Sequence, residues 1–281
     1  MNKLPPEKRA QALQMMAEGI SLRAMTRLTG ISRTTLIKLL EDAGQAFSEY
    51  QDRTLVNLPC KRVQADEVWG FCYAKQKNVA TAKAAPEGAG DVWTWLGLCA
   101  DSKLAVSWYV GARDGEAALE FMTDLGKRLS NVVQLTTDGH RAYLEAVDEV
   151  FGTAIDYAML VKVYGAAPEG QRRYSPAVCT GAIKHRIEGN PNPKHVSTSF
   201  VERSNLSIRM GNRRMTRLTN AFSKKVENHA HMMSIYFMHY NFVRIHQTLK
   251  VTPAMAAGVT SKLWEMCDMV KVLEDWEAPK G

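Results

Sequence analysis

The amino-acid sequence predicts an α/β fold, a mixed β-sheet with flanking helices, preceded by an all-α segment. Between residues 62 and 165, three strand patterns follow one another and then helices and strands alternate. That order is typical of an antiparallel meander joined to parallel strands. Residues 5–44, in contrast, show helical spacing of apolar side chains broken by short turns.

Composition narrows the class of protein. A chain of 281 residues with 46% apolar and 23% charged residues is ordinary for a globular protein. The sequence contains no apolar run of about 18 residues, the length needed to span a bilayer. The N-terminus lacks the apolar region of a secretory signal. The five cysteines are scattered without a C-x-x-C pair, which favours reduced thiols and argues against a zinc ribbon. We expect a cytoplasmic protein.

The positive charge is concentrated in one part of the chain. The net charge is +7, but residues 162–225 contain 13 Lys and Arg against three Glu, leaving the remainder at −3. A local excess of this kind is typical of a polyanion-binding surface, although a solvated basic face is the alternative.

The first 44 residues predict a helix-turn-helix. Ser21 is placed to cap a second helix, and "TGIS" forms a tight turn at Gly30 before Ser32 caps a third. A short turn followed by a polar, Arg- and Thr-rich helix start is typical of this DNA-binding motif, although a generic three-helix module has the same apolar pattern. The side chains expected to face DNA are Arg33, Thr34, Thr35 and Lys38.

The strand and helix order after residue 60 is the one found in the ribonuclease H fold. The predicted helices follow the third and fourth strands, the second of them at 141–150. The predicted strands are 62–74, 91–100, 103–111, 131–137 and 157–165.

The remaining segments complete the predicted organisation. Residues 166–198 are rich in Gly, Pro and Arg without periodicity and are predicted to be an insertion, and a last helix is expected over 261–275 with Leu263, Val270 and Leu273 inward. The predicted units are a helix-turn-helix domain at 1–48, a linker at 49–60, a catalytic domain at 61–250 and a helical tail at 251–281.

Three acidic residues lie where a ribonuclease H-like site needs them. Asp66 is inside the first strand, Asp138 ends the fourth, and Glu202 begins a late helix. Because the first and fourth strands are neighbours in that fold, the two aspartates should meet. Carboxylate oxygens suit Mg²⁺, and phosphodiester chemistry by two cations needs such a group.

Each acid also has a structural explanation. Asp138-Gly139 is a turn dipeptide, or Asp138 could cap the next helix. Glu202 follows Ser199 in an S-x-x-E capping box. Asp66 is the hardest to explain, because a carboxylate within an apolar strand is costly unless it is paired or binds a metal. Its neighbour Glu67 should point to the opposite face, toward solvent or a salt bridge.

The helix that begins near Glu202 adds two further polar residues. Asn205 and Arg209 follow at i+3 and i+7, so they share a helical face with Glu202. A carboxylate beside an amide and a guanidinium suits a surface that binds a metal and contacts phosphate.

Five stretches in order resemble the DDE transposases of bacterial insertion sequences, specifically the insertion sequence one group. They span about residues 60–260 and read "QADEVWGFCYAKQKN", "TTDGHRAYLEAV", "PKHVSTSFVERSNLSIRM", "RLTNAFSKKVENHAHMM" and "YNFVRIHQTLKVTPAMAAGV". The N-terminal helix-turn-helix fits as well. Some members carry an N-terminal zinc ribbon, for which this chain has no cysteine pairs.

The resemblance implies a function. Asp66, Asp138 and Glu202 would be a catalytic triad binding two Mg²⁺ or Mn²⁺ ions, which cuts double-stranded DNA at terminal inverted repeats and joins it to target DNA. Synapsis of two ends implies a homodimer or larger assembly, with Met232, Met233, Phe237 and Tyr240 as a candidate interface or, equally, as core. The expected phosphate contacts are Asn205, Arg203, Arg209, Arg213, Arg214, Arg217, Lys224 and Lys225.

Two other functions remain open from the sequence. The chain could be a DNA-binding regulator that uses the helix-turn-helix alone, with a silent catalytic domain. It could also be a metal-dependent nuclease that cuts DNA without joining it.

Overall fold

The computed structural model describes residues 3–165, 179–216 and 220–278. Three helices come first: α1 (Pro6–Ala17), α2 (Leu22–Thr29) and α3 (Arg33–Thr54). As expected, the Ser21 and Ser32 hydroxyls cap α2 and α3 by accepting hydrogen bonds from backbone N–H groups. Gly30 between them has a φ of 71°, a conformation that favours glycine.

The third helix is longer than a helix-turn-helix requires. It runs without interruption to Thr54 and so crosses residue 48, the predicted end of the first domain. Leu36, Leu39 and Leu40 are buried as expected. The residues predicted to face DNA, Arg33, Thr34, Thr35 and Lys38, are exposed. The DNA-binding role of these helices and the domain boundaries stay predictions.

A mixed β-sheet forms the centre of the structure. Its six strands in the described residues are β1 (Arg62–Cys72), β2 (Gly90–Cys99), β3 (Ala105–Gly111), β4 (Gln134–Thr137), β5 (Asp156–Tyr164) and β6 (Cys179–Glu188), in the spatial order β3-β2-β1-β4-β5-β6. β1 pairs with β2, and β2 with β3, in antiparallel fashion, whereas β1, β4 and β5 are parallel. This sheet, flanked by helices, is compatible with a ribonuclease H-like fold.

Helices cover both faces of the sheet. After α3 the α-helices are, in chain order, α4 (Gln76–Val79), α5 (Gly115–Arg128), α6 (Ala142–Phe151), α7 (Ser199–Gly211), α8 (Val226–Phe242), α9 (Pro253–Ala256) and α10 (Met266–Glu277). On one face, Trp95 of β2 packs against Phe121 of α5, and Tyr143 of α6 packs against the same Trp95. On the other face, Leu96 and Leu98 join a core cluster with residues of α7 and α8.

Two segments in the second half of the chain differ in detail from their sequence predictions. Part of the predicted insertion is β6, which pairs with β5 as an antiparallel edge strand; residues 166–178 lie outside the described residues. The last helix begins at Met266 rather than 261, and Leu263 is 45% exposed although Val270 and Leu273 are buried.

No helix in the described part of the chain is both long and apolar enough to pass through a bilayer.

The N-terminal helices and the sheet share one hydrophobic core. Leu13 of α1 and Phe47 of α3 belong to the same buried cluster as Phe121 and Phe242. The contact of α3 with α8 is especially close at Gly44. A Cβ added there would lie 2.3 Å from the Cβ of His231, which is too close for any side chain. Gly44 therefore sets the distance between these two helices.

We expect Gly44→Ala to lower the free energy of unfolding by about 1–3 kcal/mol, because the added methyl group forces α3 and α8 apart. Urea unfolding measures this loss. The matched control is Gly115→Ala in α5, where nothing lies within 4 Å of the added Cβ. A Gly44→Ala protein as stable as wild type would contradict the close approach of α3 and α8.

Candidate functional site

The register of two parallel strands brings Asp66 and Asp138 together. Ala65 of β1 pairs with Thr137 of β4, so Asp66 and Asp138 are the next residues on adjacent strands. One carboxylate oxygen each from Asp66, Glu67 and Asp138 lie within 4.8 Å of one another. The sequence prediction that the two aspartates meet is therefore correct, and a third carboxylate joins them.

Asp66 is held by two hydrogen bonds in a half-buried position. Its Oδ1 accepts from the backbone N–H of Glu67 at 2.9 Å, and its Oδ2 accepts from Asn205 Nδ2 at 2.9 Å. Burial, together with the nearby charges of Glu67 and Asp138, raises the pKa of Asp66 to about 7. A carboxylate under this strain is one that a cation would stabilise.

Asp138 does not cap the helix that follows it. The Asp138 Oδ1 accepts a hydrogen bond from the backbone N–H of His140 at 2.9 Å, which makes a local turn. The first residue of α6 is Ala142, and the residue before it, Arg141, makes no side-chain cap. The other Asp138 oxygen lies 3.9 Å from Arg113 Nη2. Turn formation therefore occupies one oxygen and leaves the other beside Arg113.

Glu202 lies near the start of α7, outside the group of three carboxylates. Its oxygens accept from Thr198 Oγ1 and Lys162 Nζ, each at 2.5 Å. The predicted capping box with Ser199 is not formed, because α7 is preceded by Thr198 and has no side-chain cap. Glu202 is nevertheless near the aspartates, since its charge contributes to the raised pKa of Asp66.

Of the two environments predicted for Glu67, solvent or a salt bridge, the structure shows the salt bridge, with Arg113. Glu67 does lie on the opposite face from Asp66, paired across β2 with Trp95. However, its side chain is 1% exposed rather than in solvent. It accepts from Arg113 Nε at 2.6 Å and from the Tyr143 hydroxyl at 2.9 Å. Burial raises the pKa of Glu67, and its two donors oppose that shift.

Arg113 connects this buried network to the aspartates. Its guanidinium carbon lies 4.8 Å from the centre of the Trp93 ring, in a cation–π contact. With Nε on Glu67 and Nη2 near Asp138, Arg113 supplies a positive charge beside three negative ones.

Sequence reasoning did not identify Arg113, Lys162 or Tyr143 as part of the site. A signal existed for Lys162, because it is a charged residue within the apolar fifth strand, near the edge at which Asp138 follows β4. Arg113 and Tyr143 had no such signal, since an arginine after a strand and a tyrosine in an amphipathic helix are common.

The predicted phosphate contacts differ in accessibility. Arg203, Lys224 and Lys225 are exposed, whereas Arg209, Arg213 and Arg214 are half-buried, and Asn205 is buried against Asp66. Arg217 lies outside the described residues. The structure thus connects Asn205 to the carboxylates, and it leaves the DNA-binding role of the basic residues untested.

Comparison with solved structures gives distant likenesses, one of which is to a transposase. No family model matches the chain, and no curated protein matches it either. Among solved structures, the chain is similar to the piggyBac transposase in a cryo-EM synaptic complex with hairpin DNA. The identity is 11%, the TM-score is 0.39, and the match covers 98% of this chain and 73% of the other. The function proposed below rests on the residues of this chain.

We expect the charge on Asp66 to destabilise the metal-free fold. The raised pKa means that the folded state holds the Asp66 proton more tightly than the unfolded state does. The contribution of this proton to the free energy of unfolding is therefore complete below about pH 4 and is lost as the pH rises through about 7. In urea unfolding with a chelator, the free energy of unfolding of Asp66→Asn should equal that of wild type at about pH 4. At pH 8 it should be higher than that of wild type by about 2 kcal/mol.

The control is Asp148→Asn, because Asp148 is exposed on α6. It should track wild type at both pH values. Adding Mg²⁺ at pH 8 should narrow the difference between wild type and Asp66→Asn by stabilising only wild type. An Asp66→Asn advantage that is the same at every pH would contradict the assignment of the strain to the Asp66 charge.

Proposed function

We propose that this chain is a DNA transposase of the insertion sequence one type, which cuts DNA ends and joins them to target DNA. The observation that carries the proposal is the meeting of Asp66, within β1, and Asp138, directly after the paired parallel strand β4. Asn205 is bonded to Asp66 from the helix that carries Glu202. Asp66 and Asp138 thus lie together at the centre of the sheet, and the charge of Glu202 on α7 is close enough to act on Asp66.

The donor set suits divalent cations. Asp66, Asp138 and Glu202 offer carboxylate oxygens, which are the ligands that Mg²⁺ and Mn²⁺ prefer. Two such ions, when bound, would activate the attacking oxygen and stabilise the leaving oxygen of a phosphodiester. The raised pKa of Asp66 supports the proposal, because a crowded carboxylate gains more from a cation than a solvated one does.

The residues around the carboxylates have supporting roles. Asn205 and the Glu67 backbone N–H fix the orientation of the Asp66 carboxylate. Lys162 and Thr198 hold Glu202 before substrate arrives. Arg113, held by Glu67 and stacked on Trp93, can donate to an oxygen of the scissile phosphate beside Asp138.

Double-stranded DNA is the proposed substrate, with the exposed start of α3 and the basic residues after Glu202 as the contacts. The same function requires two copies of the chain to hold two DNA ends. Of the two alternatives for α8, interface or core, the core applies to Met232, Met233 and Phe237, which are at most 5% exposed, and Tyr240 is half-buried. The surface that joins two copies therefore lies elsewhere.

We expect Asp138→Asn to reduce DNA strand cleavage by at least about 100-fold, because the amide is a poor ligand for Mg²⁺. The substrate is a labelled duplex carrying the inverted repeats that flank the coding sequence, incubated with Mg²⁺. Denaturing gels separate cut and joined products, and a gel shift with chelator should show wild-type-like binding.

The control is again Asp148→Asn, which should cut like wild type. Cleavage by Asp138→Asn at the wild-type rate would overturn the assignment. Cut products without joined products would favour the nuclease, and binding by wild type without any cutting would favour the regulator.

A further inference from the structure

A groove separates the N-terminal helices from the segment that follows α7. It has a volume of about 940 Å³. One wall is made by α1, α2 and the start of α3, including Ile20, Arg23 and Arg33. The other wall is made by Arg213 and Arg214 together with residues between 220 and 232, including Phe222. We call it the basic groove.

The charge of the basic groove has one sign. None of its described lining residues is acidic. The five basic residues come from both walls and are Arg23, Arg33, Arg213, Arg214 and Lys224. These like charges repel one another, and a bound anion would reduce that repulsion.

Arg214 is the least solvated of these charges. Its Nη1 donates to Ser223 Oγ at 2.8 Å, and no carboxylate of the described residues forms an ion pair with it. Burial lowers the pKa of Arg214 to about 10. A guanidinium in this setting still has donors for a second partner, and an anion is the partner that burial favours.

The two walls are fixed relative to each other. Gly19, in the turn between α1 and α2, has a φ of 75°, and a Cβ added there would lie 2.5 Å from the carbonyl oxygen of Gly211. This contact joins the N-terminal helices to the end of α7. The basic groove is therefore a preformed site, which lowers the cost of binding.

We propose that the basic groove binds the phosphodiester backbone of duplex DNA, with Arg214 holding one phosphate. The choice of DNA as the polyanion rests on the proposed function. In this proposal the duplex lies between the start of α3 and Lys224 on the opposite wall. The exposed Arg33 at the start of α3 contacts the backbone of one DNA strand.

The shape of the groove favours a polymer over a small anion. The five basic groups are spread over both walls instead of converging on one point, so one small anion could not contact them all. Apolar side chains lie between them, including Ile20, which is 37% exposed, and Phe222, whose ring lies 4.6 Å from Lys224 Nζ. Sugar rings of a nucleic-acid backbone suit such surfaces between its phosphates.

The test measures binding of a fluorescent duplex of about 30 base pairs and unrelated sequence by anisotropy, in chelator, between about 50 and 200 mM KCl. Arg214→Gln should weaken binding about 10-fold and reduce the slope of log affinity against log salt by about one, since one phosphate contact is lost. Arg214→Lys should keep the slope and recover only part of the affinity, because lysine lacks the planar fork.

Two more variants keep the result interpretable. Arg23→Gln changes an exposed side chain on the opposite wall, so it cannot act by unfolding the core, and it should also reduce the slope by about one. Arg53→Gln is the matched control, since Arg53 is exposed on α3 away from the groove. Wild-type affinity and slope in both Arg214→Gln and Arg23→Gln, or tighter binding of a single strand than of the duplex, would overturn the proposal.

The two proposals fail separately. Binding in chelator does not need the carboxylates, so Asp138→Asn should bind the duplex as wild type does. Salt-dependent loss in the groove variants, combined with no cleavage by wild type in Mg²⁺, would leave the groove standing and remove the transposase activity. Cleavage by wild type, combined with unchanged DNA binding by the groove variants, would support the transposase activity and overturn the proposal for the groove.

Discussion

The pairing of β1 with β4 is the constraint on which the rest of the site depends. Parallel register at Ala65 and Thr137 forces two aspartates to follow side by side, where their charges repel and solvent is scarce. Other elements supply the compensation: an amide from α7, a guanidinium after β3, and a lysine on β5 that holds Glu202. Each is placed by its own secondary structure, so the carboxylates are held together without relying on one another.

Local patterns were enough to predict the aspartates, because they depend on strand period and on which strands are neighbours. The same reasoning could not find β6, since nearly all of its side chains are exposed and no apolar alternation marks it. Nor could it find the burial of Glu67. The direction of the Glu67 side chain followed from the two-residue period of a β-strand. Whether that side chain is exposed to water or contacts Tyr143 depends on where α6 packs. Contacts between distant elements set the charges around the site, and a local pattern does not record them.

The N-terminal helices are less separate than a linker between two domains would suggest. Helix α3 continues past the predicted boundary, its Gly44 touches α8, and its apolar side chains share a core with the sheet. Arg128 at the end of α5 strengthens this union by bonding Asp52 and backbone carbonyls near the end of α3. In the proposed function, a DNA contact made by α3 would be connected to the strands of the site through this shared core.

Helix α7 connects the carboxylate site to the basic groove over a defined length. Glu202 is in its first turn, and the helix ends at Gly211, directly before the arginines of the basic groove. The nine residue steps from Glu202 to Gly211 rise about 14 Å along the helix axis, at 1.5 Å each. That rise equals about four base pairs of B-form DNA. In the proposed function, the number of residues in α7 would therefore set the distance between a phosphate held in the basic groove and the position at which the strand is cut.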